Sequence, residues 1–290
     1  MMIETVLQKN MRENSYHLMK FPQYFLVIEL MAHWQKFRAI PDETKKLFRY
    51  IKDVGRGYEN KIQEEVIDGG TISDKKENFH LVPMDYSRLM SLAQHQVSNE
   101  EHLRIILDFI CSAQLLHLSI IDFMESIRPG LQELVLDDFE STKINLKEEF
   151  EESWYQWIIR TLFYHPGQDI SVDIAGMHLD KGFITLNWRA TAPGLQVMNV
   201  ITGEMSHVDI PEGYVLIQAG LQFDYLTGIK ALPHRVINSK IVIKIARCCL
   251  VAFCDINGLP QYDKAKFGRT HTIKFLDYIK WSRSELLKRF

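Results

Sequence analysis

The sequence predicts a mainly β core with flanking helices, an α+β arrangement in which an antiparallel jelly roll follows a helical amino-terminal region and precedes a carboxy-terminal helix. Three observations predict it. From Trp157 to Asp255 the chain falls into short β-rich runs: IIRTLFYH, AGMHLD, FITLNWRA, GLQVMNV, SHVDI, YVLIQAG, LPHRVI and IVIKIARCCLVAFCD. The punctuation between them, HPGQ, APG, ITGE, PEG, TGIK and DING, is turn chemistry, and no helical period intervenes, which favours antiparallel over parallel pairing. Before this region apolar residues recur at helical spacing. The change of character near residue 150 divides the chain into a mainly helical region, 1–150, packed on the core, and a region 151–290 holding the β core and closing helix, in one compact unit.

Taken in order, YFLVIELMAHWQKF over 24–37 predicts a helix. Pro41 then opens PDETKKLFRYI, acids early and bases late, as a second helix start. Residues 53–74 carry four glycines and many charges and predict a loop; KKENFHLVP predicts a short strand. A long helix is expected from Glu100 to about Ser126, ending as Pro129 and Gly130 break the pattern. His117 on that helix reads as a structural histidine. The tail FLDYIKWSRSELLKRF predicts an amphipathic closing helix.

Composition excludes several classes. The 290 residues are 46% hydrophobic, enough for a large core. A net charge of -3 without long single-sign blocks argues against nucleic acid or an anionic membrane as partner. No apolar run of spanning length lacks charges, and no leader pattern opens the chain, so a soluble protein is expected. Of Cys111, Cys248, Cys249 and Cys254, three crowd one strand and cannot build a spaced disulfide framework. Reduced thiols and a cytoplasmic location are expected.

The chemistry concentrates in GMHLDKGFITLNWR, residues 176–189. His178 and Asp180 fall on one face of a strand, because side chains at i and i+2 point the same way. A second pair of the same spacing, His207 and Asp209, precedes the turn Pro211-Glu212-Gly213 and reads as a solvated strand end. His234, flanked by apolar residues in LPHRVI, is the third candidate ligand. Two histidines and one carboxylate match the facial triad of non-haem iron oxygenases, although zinc accepts the same donors. In IVIKIARCCLVAF, Arg247 shares its parity with Ile241, Ile243, Ile245, Cys249, Val251 and Phe253. A guanidinium on an apolar row needs an anion. The charge is met by an internal salt bridge, by snorkelling to the barrel mouth or, beside an iron site, by the distal carboxylate of 2-oxoglutarate.

The run H-x-D-x-G-x-x-T-L at 178–186, GLQV at 194–197, PEGYVLIQAG at 211–220, LTG at 226–228 and HRV at 234–236 resembles the iron(II)/2-oxoglutarate-dependent dioxygenases, and among them the isopenicillin N synthase-like branch. IPDETKKLF, Gly57-Tyr58 and KKENF extend the resemblance into the first half. It implies a double-stranded β-helix core, Fe(II) held by His178, Asp180 and His234, and 2-oxoglutarate anchored by Arg247. O2 is the second co-substrate. Cys249 stands where the family has a serine or threonine, either Tyr164 or His165 takes the place of a co-substrate tyrosine, and the usual amino-terminal Gly-Phe-Phe strand is missing or altered. The implied activity is hydroxylation of a small organic substrate with release of succinate and CO2. Pocket walls implied with it are Phe183, Thr185, Leu195 and Phe253, with Arg56, Tyr58 and Phe79 on the substrate side. Three alternatives stay open: an iron oxidase of this fold that does not use 2-oxoglutarate, a metal-binding jelly roll without turnover, and an oxygenase acting on nucleic acid or protein residues, the absence of basic stretches counting against nucleic acid.

Overall fold

Two antiparallel sheets face each other across a cavity, and helices cover the outer face of the larger one. The computed structural model describes residues 5–51, 55–60, 76–136, 144–166, 173–238 and 246–256. In chain order the elements are α1 (Val6–Asn14), β1 (Tyr16–Lys20), α2 (Tyr24–Ala39), α3 (Asp42–Lys45), β2 (Gly57–Asn60), β3 (Lys76–Leu81), α4 (Tyr86–Gln96), α5 (Glu100–Gln132) and α6 (Leu146–Ser153). Then follow β4 (Ile158–Tyr164), β5 (Ala175–His178), β6 (Ile184–Trp188), β7 (Leu195–Met198), β8 (Met205–His207), β9 (Tyr214–Ala219), α7 (Leu221–Thr227), β10 (His234–Val236) and β11 (Arg247–Cys254). The seven-stranded sheet runs β1-β9-β6-β11-β4-β3-β2 and the four-stranded sheet β5-β10-β7-β8.

Strand parity sorts the large sheet into two environments. On β11, Cys248, Leu250, Ala252 and Cys254 join the hydrophobic core beneath the helices, while Arg247, Cys249, Val251 and Phe253 face the cavity. β4 does the same, with Ile159 and Phe163 in that core and Ile158, Arg160, Leu162 and Tyr164 on the cavity. The core is closed by α2 lying along α5, and its centre is a ring cluster in which Phe37 meets Phe109 at 5.0 Å, Phe79 at 5.4 Å and Trp34 at 5.7 Å. Over 18 residues α5 is apolar enough to cross a membrane by length and composition, yet half of that stretch is buried inside the fold, as befits a core helix.

Several expectations require correction. The helix α5 does not stop at Pro129 but runs to Gln132. Tertiary contacts hold the last turn despite the missing proline amide and the crowding of its ring: Leu131 is fully buried and the Gln8 side chain donates to the Gly130 carbonyl. Gln8 is itself placed by a capping box with Thr5 at the start of α1. Within the expected loop 53–74, Gly57–Asn60 is a strand paired with β3. Gly57 has φ +114° and its position leaves no room for a Cβ, which would lie 2.7 Å from the Arg49 carbonyl oxygen. The β region also contains a helix, α7, where only turns were expected; Leu221, Phe223 and Leu226 bury its apolar side, and Gly228 at φ +72° ends it. A strand without a Gly-Phe-Phe pattern, YHLMK, lies near the amino terminus and pairs with β9, and α4 and α6 are additional helices. Three strands from before residue 150 thus lie in the large sheet. The closing helix over 275–290 and Ile241, Ile243 and Ile245 lie outside the described residues.

Candidate active site

His178 ends β5 and His234 begins β10, and the antiparallel register sets the two directly opposite each other. Their ring centroids are 4.2 Å apart. Asp180 follows two residues beyond His178, with Oδ1 3.8 Å from His178 Nε2 and Oδ2 3.7 Å from His234 Nε2. One donor atom from each residue lies within 4.8 Å of the other two. Asp180 and His234 are buried; His178 is exposed at the cavity mouth.

The surrounding hydrogen bonds orient these donors for a metal. His178 Nδ1 is 2.7 Å from the Gly176 carbonyl oxygen and His234 Nδ1 is 3.1 Å from that of Leu232. A carbonyl only accepts, so each Nδ1 carries the proton and each Nε2 lone pair turns toward Asp180. Asp180 Oδ2 accepts a 2.6 Å bond from Gln218 Nε2, and Gln218 Oε1 accepts in turn from Asn187 at 2.8 Å. The Asp180 carbonyl accepts from the Leu221 amide at the start of α7, a close approach that depends on Gly220, where a Cβ would fall 2.1 Å from the Gly182 carbonyl oxygen. Burial pushes the Asp180 carboxyl upward, but its neighbours together, His234, His178 and Arg160 among them, hold it below its usual value. Two imidazoles and a carboxylate arranged in this way fit Fe(II).

Arg247 lies in the same cavity, which has a volume of about 760 Å³ and is of the size that small-molecule sites require. The residue is buried, yet its Nε donates only to the Ala192 carbonyl at 3.2 Å and its Nη1 to Cys249 Sγ at 3.1 Å. Among the described residues it has no carboxylate partner. The internal salt bridge that offered the bland explanation is therefore not made there, and the guanidinium fits an incoming carboxylate. Tyr164 sits opposite Arg247 in the β4–β11 ladder, its ring 5.8 Å from Arg247 Cζ.

Other sequence-derived candidates divide sharply. Thr185, Leu195 and Phe253 line the cavity. His165 does not; parity turns it to the other side of β4's end, where Nε2 meets Glu77 Oε1 at 2.8 Å. Arg56 pairs with Asp85 at 3.2 Å. Tyr58 and Phe79 belong to the aromatic core, Tyr58 donating to Glu77 at 2.9 Å. Phe183 is fully buried between Phe150 and Phe223. Aromatic residues on strands reach the core whenever parity sends them there. His207 and Asp209 are exposed at the strand end, and His117 is buried against the Tyr86 hydroxyl at 2.8 Å.

Two features of the site escaped the sequence reading. The Asn187–Gln218–Asp180 relay joins neighbouring strands β6 and β9 and has no motif. Arg160 did have a signal, since it interrupts the apolar parity of Ile158, Leu162 and Tyr164 just as Arg247 interrupts that of β11.

No family model and no curated protein matches the sequence. Solved structures do. A Caulobacter crescentus protein assigned to the 2OG-Fe(II) oxygenase family superposes with a TM-score of 0.67 at 21% identity, covering 87% of this chain and 81% of that one. A full-length Neurospora crassa protein in complex with alpha-KG gives 0.64 at 19%, covering 87% and 79%. The 2-oxoglutarate complex of an Arabidopsis thaliana dioxygenase for auxin oxidation gives 0.61 at 15%, covering 86% of each. With its paired antiparallel sheets and flanking helices, the chain has the jelly-roll fold of the 2OG-Fe(II) oxygenases.

Proposed function

We propose that the protein is an Fe(II)- and 2-oxoglutarate-dependent oxygenase that hydroxylates a small organic molecule held in the cavity. The observation that carries this reading is that His178, Asp180 and His234 share one cavity with a buried Arg247 lacking a carboxylate partner among the described residues. The three would hold Fe(II) and Arg247 the distal carboxylate of 2-oxoglutarate. Bound there, the metal and its co-substrate supply O2 activation coupled to oxidative decarboxylation, with succinate and CO2 released.

The chain's own contribution is orientation and exclusion. The Gly176 and Leu232 carbonyls hold the Nδ1 protons, and Gln218 holds one carboxylate oxygen. Leu162, Val251 and Phe253 give the cavity apolar wall, which limits water near the reacting centre. Tyr164, opposite Arg247, is the aromatic neighbour of the co-substrate. Among the fold neighbours, structures of the Neurospora crassa protein hold alpha-KG, thymine and 5-formyluracil, which supports a small-molecule substrate. The order of the PEGYVLIQAG, LTG and HRV motifs supports the isopenicillin N synthase-like branch, and free Cys111, Cys248, Cys249 and Cys254 suit a reducing cytoplasm.

The test is anaerobic addition of Fe(II) and 2-oxoglutarate to the purified protein, followed by air. A weak visible charge-transfer band and then succinate are expected. Absence of both overturns the proposal and leaves Arg247 to a substrate carboxylate in an iron oxidase, or the triad to a metal site without turnover.

A further inference from the structure

The cavity holds a second guanidinium that forms no ion pair or hydrogen bond with a described residue. Arg160 lies on β4 between Ile158 and Leu162, on the face lining the cavity. Its Nε is sealed from solvent and bonds to nothing, and the group makes no hydrogen bond or ion pair among the described residues. Its close neighbour is the ring of Phe253, 4.8 Å from Cζ, which supports the flat guanidinium without neutralising it. Burial draws the Arg160 pKa down, and the carboxylate that opposes this most is Asp180, already engaged with Gln218 and the histidines. Arg160 is half-buried, with only Nε sealed from solvent, and an arginine cannot shed its proton, so an anion entering the cavity meets this charge without an ion-pair partner.

Arg247 and Arg160 stand at different heights on the cavity wall. In the β4–β11 ladder Tyr164 lies opposite Arg247 and Arg160 opposite Val251. The two pairs are four residues apart along the strands, about 13 Å at the usual strand rise. Building on the oxygenase reading of this cavity, we propose that Arg160 binds a carboxylate of the substrate, so that the substrate class is a small organic acid held with its acid group against Arg160 and Phe253. The planar fork favours bidentate pairing with a carboxylate over a neutral amide of the same shape.

The experiment compares matched acids and amides: benzoate with benzamide, phenylacetate with phenylacetamide, hexanoate with hexanamide. Each is titrated calorimetrically into the full chain, with and without Mn(II) and 2-oxoglutarate. At least one acid should bind tenfold or more tightly than its amide, Arg160→Gln should abolish that preference, and Arg160→Lys should keep part of it. Affinity for 2-oxoglutarate should change less than about twofold in either variant. Equal binding of acids and amides, no binding by any pair, or a preference that survives Arg160→Gln overturns the assignment. So does loss of 2-oxoglutarate binding in Arg160→Gln alone, which would make Arg160 part of the co-substrate site. Failure of the wild-type chain to bind 2-oxoglutarate while the acid preference persists would sink the oxygenase reading and leave the anion site standing.

Discussion

Gln218 on β9 donates to Asp180 Oδ2 at 2.6 Å, although 38 positions of chain separate the two residues. Its own oxygen is held by Asn187, so the amide cannot turn away. Gln218→Leu keeps the volume and removes the donor. Fe(II) or Mn(II) affinity is expected to fall about 10- to 100-fold, as when an outer partner of a metal ligand is lost. Metal titration of the variant checks this; unchanged affinity would show that Asp180 is oriented without Gln218.

Arg247 and Cys249 give opposite expectations. Arg247→Ala should weaken 2-oxoglutarate binding by at least about 30-fold, the loss of a buried charge partner costing about 2 kcal/mol or more, while metal uptake stays nearly unchanged. Cys249→Ser replaces a poor donor with a hydroxyl beside the same guanidinium and should tighten co-substrate binding about fivefold, near 1 kcal/mol. Anaerobic titration of the charge-transfer band measures both; weaker binding in Cys249→Ser would mean that the thiol's contact with Arg247 positions the anchor.

Gly220→Ala should be costly although Gly220 has an extended backbone. The new Cβ would be driven against the Gly182 carbonyl, forcing α7 away from the Asp180 loop. Overpacking of this kind costs about 1–3 kcal/mol. Urea unfolding and metal titration together should show lowered stability and weaker metal binding; a wild-type metal affinity at reduced stability would uncouple α7 from the site.

The acid limb of stability should carry the signature of His117, whose pKa is pushed down to about 3 by burial. The unfolded chain takes up this proton near pH 6.5, whereas the folded chain refuses it until about pH 3. Stability is therefore lost as pH falls through that window, by about 1.4 kcal/mol per unit from this group. His117→Gln keeps an acceptor for the Tyr86 hydroxyl and removes the titration. The wild-type minus variant unfolding free energy should slope with pH between about 6 and about 4; parallel profiles would assign the acid limb to the carboxylates.

The long elements were legible in sequence because their burial is one-sided and periodic. YFLVIELMAHWQKF gave α2, and the alternation of RCCLVAFC placed Arg247 and Cys249 on one face of β11 and Cys248 and Leu250 on the other. The short elements were not. Gly57–Asn60 pairs through a conformation open only to glycine beside a backbone close by, and α7 depends on neighbours that bury Leu221 and Phe223.

What the sequence determined by itself was a set of residues with improbable placements: His178, Asp180 and His234 among apolar neighbours, and a charge on an apolar strand face at Arg247. Local periodicity suffices for that, because it fixes which side chains share a face. What only the tertiary structure decided was which faces meet. The β5–β10 register set His178 opposite His234, parity at the end of β4 sent Tyr164 into the cavity and His165 to Glu77, and packing drew Phe79 and Phe183 into the core. It also showed that neither Arg247 nor Arg160 meets a carboxylate among the described residues. Pairing between strands distant in sequence sets such contacts, and no local pattern encodes it.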